Sequence, residues 1–191
     1  MKKTVSYFVS VLILSLSTLG GVFLYRIQER PQAPVAPAQP PAVQARTAGE
    51  SMLGKMRPGF VLADVAGRTR NLDEWNGKVL VLNFWATWCP PCLKEIPEFV
   101  QLQNKYADGG LQFLGIALQK PEQVVDFVRE QGMNYPVLAG ETAVIEIAES
   151  YGNTSGALPY TAVVDRTGLI HYAKAGPLSG AELEKIVQPL L

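Results

Sequence analysis

Cys89 and Cys92 are the only cysteines in the chain, and two residues separate them. That spacing suits a pair that exchanges electrons with disulfides. A thiolate on the first sulfur attacks a disulfide, and the second sulfur, one helical turn further on, resolves the mixed disulfide. With no third cysteine, no structural disulfide can coexist with a reactive pair, and a domain of this size outside the cytoplasm needs no staple. Half of a zinc site is the competing reading of Cys-x-x-Cys. It needs two further ligands, and the chain offers one histidine, His171, on an alternating strand pattern that places it at the surface. A module holding Cu(I) between two thiolates is the alternative from another class, since soft sulfur suits that ion. No Met or His is set beside the pair to help it.

The elements around the pair explain why Cys89 is expected to attack. Residues 79–84 are a continuous apolar run broken only by Asn83, typical of a strand buried on both faces. A helix is expected from about residue 91 to 106. Cys89 therefore falls at a helix start, where orphan amides and the positive end of the dipole stabilise a thiolate and expose its sulfur. Pro90 and Pro91 carry no amide hydrogen, so the nearest donor is the amide of Cys92. The expected result is a modest lowering of the thiol pKa and a comparatively reducing pair. Glu95, three residues after Cys92, points back along the helix towards it. Asn83 cannot take up a proton, so Glu95 is the candidate proton-handling group. Trp88 is expected to shield the disulfide beside a substrate groove, and Trp85 to be core or groove wall. Pro97 lies inside the helix and is expected to kink it.

Further along, residues 60–62 and 68–70 flank Ala66 and Gly67 as an opening hairpin. Residues 112–118 read as a buried strand, 121–131 as an amphipathic helix opened by proline, and 142–151 as a shorter helix ended by Gly152. Residues 160–164 and 169–174 read as strands joined by a turn at 165–168. A last helix starts at Ser179, where Glu182 completes a capping box and Leu178 with Leu183 has staple spacing. Strands alternating with helices, then a hairpin and a closing helix, imply an α/β domain with a mixed sheet covered on both faces.

Before the domain, Lys2 and Lys3 precede an uncharged stretch from residue 4 to 25. As a helix, about 21 residues span roughly 30 Å, the hydrocarbon thickness of a bilayer. Residues 1–27 are read as an uncleaved signal-anchor helix, with a cleaved signal peptide as the rival. Residues 28–50 are a Pro/Ala-rich linker with five prolines between Pro31 and Pro41, a semi-rigid spacer of about 3.1 Å per residue. The domain occupies 51–191. Its 12 basic and 15 acidic residues, without basic clusters, argue against nucleic-acid binding.

The run Asn83-Phe84-Trp85-Ala86-Thr87-Trp88-Cys89-Pro90-Pro91-Cys92, followed by Glu95, Ile96 and Pro97, resembles the TlpA/ResA-like family of extracytoplasmic thioredoxins. The segment Gly156-Ala157-Leu158-Pro159-Tyr160-Thr161 matches its second signature, and the likeness covers roughly residues 55–190. The resemblance implies a thioredoxin fold with an N-terminal hairpin, with Pro159 cis and facing the cysteines, a bond that sequence alone would not show. It implies that Trp88, Pro90, Pro91, Leu158 and Pro159 meet the substrate, and that the backbone beside Pro159 pairs with an incoming peptide. It also implies disulfide reduction without a cofactor in proteins outside the cytoplasmic membrane, with a membrane thiol donor returning the electrons. The family's usual clients are apocytochrome c cysteines and metal-delivery proteins. Its haem-ligation subgroup carries an acidic residue after the cis proline, where this chain has Tyr160. A dithiol oxidant is the runner-up within the enzyme class, and the two prolines speak against it. Peroxiredoxins share the general fold, but the peroxidatic motif they require is absent.

Overall fold

The computed structural model describes residues 50–191. The expected membrane segment and the linker up to residue 49 lie outside the described residues. Among the described residues no helix is long and apolar enough to cross a membrane.

A central five-stranded sheet carries the domain. β3 (Val79–Trp85) lies in its middle, flanked by β4 (Leu111–Leu118) and then β5 (Val137–Gly140), both parallel to it, and by β6 (Tyr160–Val164) and then β7 (Ile170–Ala175), which run antiparallel. All seven residues of β3 are buried, as a strand covered on both faces requires. The side chains alternate between two cores. Val79, Val81 and Trp85 join one core with α1 (Pro90–Tyr106), α2 (Pro121–Glu130) and α4 (Gly180–Val187). Leu80, Leu82 and Phe84 join the other, with α3 (Thr142–Ser150) and the opening hairpin, β1 (Val61–Ala63) and β2 (Thr69–Asn71).

The hairpin turn is built on Asp64, whose carboxylate accepts from the Ala66 and Arg68 amides, while Gly67 supplies a φ of 76°. Ser179 caps α4 through the expected reciprocal pair with Glu182, and Leu178 and Leu183 are both buried. α1 runs through Pro97 without interruption.

Two elements depart from the sequence expectation. β5 is a short strand in a stretch with no assigned element, paired to β4 from Gly115 to Leu118 and bridged on its other side by Asp64. Four residues behind Pro136 are too short to display alternation. A 3-10 turn, Leu72–Trp75, follows β2 and adds Leu72 and Trp75, both buried, to the second core.

Candidate active site

The C-terminal end of β3 feeds directly into α1. Thr87 holds the connecting turn, donating its amide and its hydroxyl to Gln119 Oε1 at 2.7 and 2.9 Å. Cys89 is the N-cap of α1, with extended φ and ψ of −102° and 95°. Pro90 and Pro91 occupy the first helical positions, so the amides that would reach an N-cap sulfur are reduced to that of Cys92. Cys89 and Cys92 form a disulfide with a Cα separation of 5.4 Å. Cys92 is fully buried and Cys89 is 4% exposed, so Cys89, the residue expected to attack, is far more enclosed than its helix-start position suggests. The reason is packing: both cysteines belong to the core formed with Trp85, Ala86 and Ile96. The exposed group beside them is Trp88, at 62%. Trp85 proves to be core, its ring tilted by 37° against that of Phe127 with centroids 5.4 Å apart.

The Leu158–Pro159 bond is cis. Phe84 pairs with Tyr160, so Pro159 lies beyond the end of the β3–β6 ladder, at the end of β3 that leads to Cys89. The Pro159 carbonyl accepts from the Gly176 amide at 2.8 Å. Asn153, buried in the loop after α3, clamps the other side: its Nδ2 donates to the Ala157 carbonyl and its Oδ1 accepts from the Ala157 amide. Between these clamps the Leu158 amide and carbonyl make none of the hydrogen bonds formed among the described residues. Its side chain packs against both cores, including the one that holds the cysteines. Among the described residues, therefore, the Leu158 backbone donor and acceptor are free to pair with a strand-like peptide laid there.

Behind the disulfide, Glu95 is 4% exposed and Asn83 is 1% exposed. Asn83 Nδ2 donates to Glu95 Oε1 at 2.8 Å and to Thr161 Oγ1 at 3.2 Å, and the Leu178 amide donates to Glu95 Oε2 at 3.1 Å. Burial pushes the Glu95 carboxyl up to about 7; the Leu178 and Asn83 hydrogen bonds oppose the shift, and the Glu98 charge adds to it. Glu95 is thus poised to exchange a proton near neutral pH. His171 lies away from this centre, on β7, in an exposed pair with Asp165.

Tyr160 is turned away from the site. It is buried, and its hydroxyl donates to the Tyr151 carbonyl at 2.7 Å. Sequence reasoning read Asn83 only as a group unable to take a proton, and missed its role as the donor that fixes Glu95. An amide in an otherwise apolar buried strand was the available signal. Asn153, Gln119 and the Leu178 amide carried no such signal, because their roles depend on contacts distant in sequence.

Residues 53–173 match the AhpC/TSA family. Over 133 residues the chain is 32% identical to the thiol–disulfide oxidoreductase ResA of Bacillus thuringiensis (strain Al Hakam), covering 69% of this chain and 75% of that one. Against ResA of Geobacillus thermodenitrificans the identity is 29% over 139 residues, with 72% and 78% covered. A thiol:disulfide interchange protein of the thioredoxin family from Chlorobium tepidum TLS superposes with a TM-score of 0.64 at 34% identity, covering 71% of this chain and 94% of that one. The fold is therefore the thioredoxin fold, and the substrates are disulfide-containing proteins. With its cysteine pair at the mouth of a helix and a cis proline at the same end of the sheet, the chain belongs to the AhpC/TSA family and is a ResA-like thiol–disulfide oxidoreductase.

Proposed function

We propose that the protein reduces disulfides in proteins outside the cytoplasmic membrane, held to that membrane by residues 4–25. The observation that carries this reading is the Cys89–Cys92 disulfide at the start of α1, with prolines in the first two helical positions. Those prolines withhold the amides that would stabilise a Cys89 thiolate, and a less stabilised thiolate makes a more reducing pair.

In the reduced protein the Cys89 thiolate attacks a client disulfide. A Cys89–client disulfide forms and one client thiolate leaves. Cys92, losing its proton, then attacks the Cys89 sulfur, so the second client thiolate leaves and the Cys89–Cys92 disulfide closes. Two electrons pass to the client, and its two sulfurs take up protons. Glu95 is the group that accepts the Cys92 proton in this sequence and returns one when the pair is re-reduced. Trp88, Pro90, Pro91, Leu158 and Pro159 form the surface the client meets, with Leu158 supplying backbone pairing. A membrane thiol donor restores the dithiol. The clients fall among oxidised extracytoplasmic proteins, of which apocytochrome c and metal-delivery proteins are the family's usual ones. The residue after the cis proline is Tyr160, so that position lacks the acidic group of the haem-ligation subgroup.

Trapping tests the roles. Cys92→Ser is expected to accumulate mixed disulfides through Cys89 on non-reducing gels, and Cys89→Ser to accumulate none. Equal trapping by Cys89→Ser would reverse the assignment. Identifying the trapped proteins names the clients, and a measured reduction potential in the range of strong oxidants would replace reduction by disulfide introduction.

A further inference from the structure

The segment before α4 is tied down through its amides. Gly176 donates to the Pro159 carbonyl at 2.8 Å, Leu178 to Glu95 Oε2 at 3.1 Å, and Gly180 to Glu98 Oε2. Pro177 has no amide hydrogen, and the Ser179 amide turns to Glu182 Oε2 at 3.1 Å, inside the cap of α4. Residues 176–180 thus run as a strap. It leads from the cis-proline loop, past the buried carboxylate of Glu95, to a second carboxylate on α1.

Glu95 and Glu98 stand three residues apart on α1 and therefore share a face. Their ties to the strap stand two residues apart on it. The tie at Glu98 needs a bare backbone. A Cβ added at Gly180 would lie 2.7 Å from Glu98 Oε2 and 3.0 Å from Glu98 Cβ. Gly180 is buried at the first position of α4, and its φ is not positive. The missing side chain, and not an unusual backbone angle, is what lets the carboxylate reach the amide.

We propose that Glu98 is a positioning residue for Glu95: by holding the Gly180 amide it fixes the strap, and the fixed strap keeps the Leu178 amide on the Glu95 carboxylate. The proposal rests on the reading of Glu95 as the proton-handling group, since positioning it matters to the reaction only then.

Glu98 acts on Glu95 in two opposed ways. Its charge, one turn along the helix, favours the neutral acid. Its hold on the strap secures the Leu178 bond, which favours the anion. The other groups facing Glu95 are Asn83 of β3, which donates to it, Tyr135 in the loop before β5 and Tyr172 of β7. Substitutions separate the two actions. Glu98→Gln removes the charge and keeps a side-chain oxygen for the Gly180 amide. Glu98→Ala removes both. Gly180→Ala keeps the charge and pushes the carboxylate off the amide.

The test uses the full chain in detergent with its disulfide closed. The Glu95 midpoint is read from its carboxyl infrared band, assigned with Glu95→Gln, and fold stability is read from denaturant unfolding. Glu98→Gln is expected to lower the midpoint. Glu98→Ala is expected to lie above Glu98→Gln by about half a pH unit, about threefold in the protonation equilibrium, because the two differ in the acceptor and not in charge. Gly180→Ala is expected to raise the midpoint above that of the unaltered chain, although alanine is the better helix former. Equal midpoints for Glu98→Gln and Glu98→Ala would mean that Glu98 acts through its charge alone, and would overturn the proposal. If Glu98→Ala fails to fold, Gly180→Ala decides: an unchanged midpoint with a more stable fold overturns the proposal as well. Midpoints in the expected order, with a disulfide-exchange pH profile that does not follow them, would uphold the strap and discard the proton-handling role of Glu95 instead.

Discussion

Glu95 accepts from two donors fixed on different elements, Asn83 on β3 and Leu178 before α4, and both bonds favour its anion. Burial nevertheless prevails and holds the carboxyl near 7 instead of 4.5. Because the folded-state value is raised, the native chain keeps a proton that the unfolded chain releases between about pH 4.5 and 7. The stability this group allows is therefore fully present below that window, falls as pH rises through it, and levels off above it. The whole shift corresponds to about 3 kcal/mol as an order of magnitude. Glu95→Gln is expected to flatten this fall in urea unfolding measured from pH 5 to 8. Gln presents one acceptor where Glu presents two, so Asn83 must turn its amide to accept from the new NH2 group. The same substitution removes a negative charge near the cysteines and is expected to lower the thiol pKa, read as thiolate absorbance against pH. Superimposable curves for both proteins would reduce Glu95 to a buried structural acid.

At the scale of elements, the site is the meeting of a helix start with a loop held open. The amide arithmetic of α1 is legible in the sequence, because two adjacent prolines after Cys89 remove donors wherever the helix begins. Pro91→Ala restores the amide closest to the N-cap sulfur. It is expected to lower the Cys89 thiol pKa by about one unit and raise the reduction potential by up to about 30 mV, measured against a glutathione buffer. An unchanged potential would mean that the prolines set the helix path and not the chemistry. The loop was legible only in part. The family resemblance points to a cis Pro159, but nothing near Asn153 in sequence announces that it clamps Ala157, or that the Leu158 backbone makes none of the hydrogen bonds formed among the described residues. Asn153→Ala removes both bonds from a buried group and leaves the Ala157 amide and carbonyl without their partner. It is expected to cost about 1–3 kcal/mol in denaturant unfolding and to weaken client reduction more than reduction of a small disulfide. β5 was missed for a related reason. Its place between β4 and the hairpin is set by Gly115 and Asp64, far along the chain, and not by any pattern of its own.

At the scale of the whole molecule, the two cores among the described residues run from Met52 to Leu191. The charge over the same stretch is weakly negative, with 12 basic and 15 acidic residues. A proline-rich stretch without a periodic apolar face has no core of its own to offer, so the fold is expected to stand without the residues before 51. A fragment comprising 51–191 is expected to unfold cooperatively and to reduce a disulfide substrate in solution at the rate of the full chain. On the proposed reading of a membrane-held reductase, the same fragment exported without residues 1–50 is expected to fail in the cell, because tethering would raise the effective concentration of the oxidised pair and a membrane thiol donor for each other. On the same reading the proline-rich stretch would set that encounter, since such a spacer extends further per residue than a flexible coil. Full complementation by the exported, unanchored fragment would show that the domain finds its donor by free diffusion and that the anchor is dispensable. Loss of reductase activity by the purified fragment would instead place part of the fold's support before residue 51.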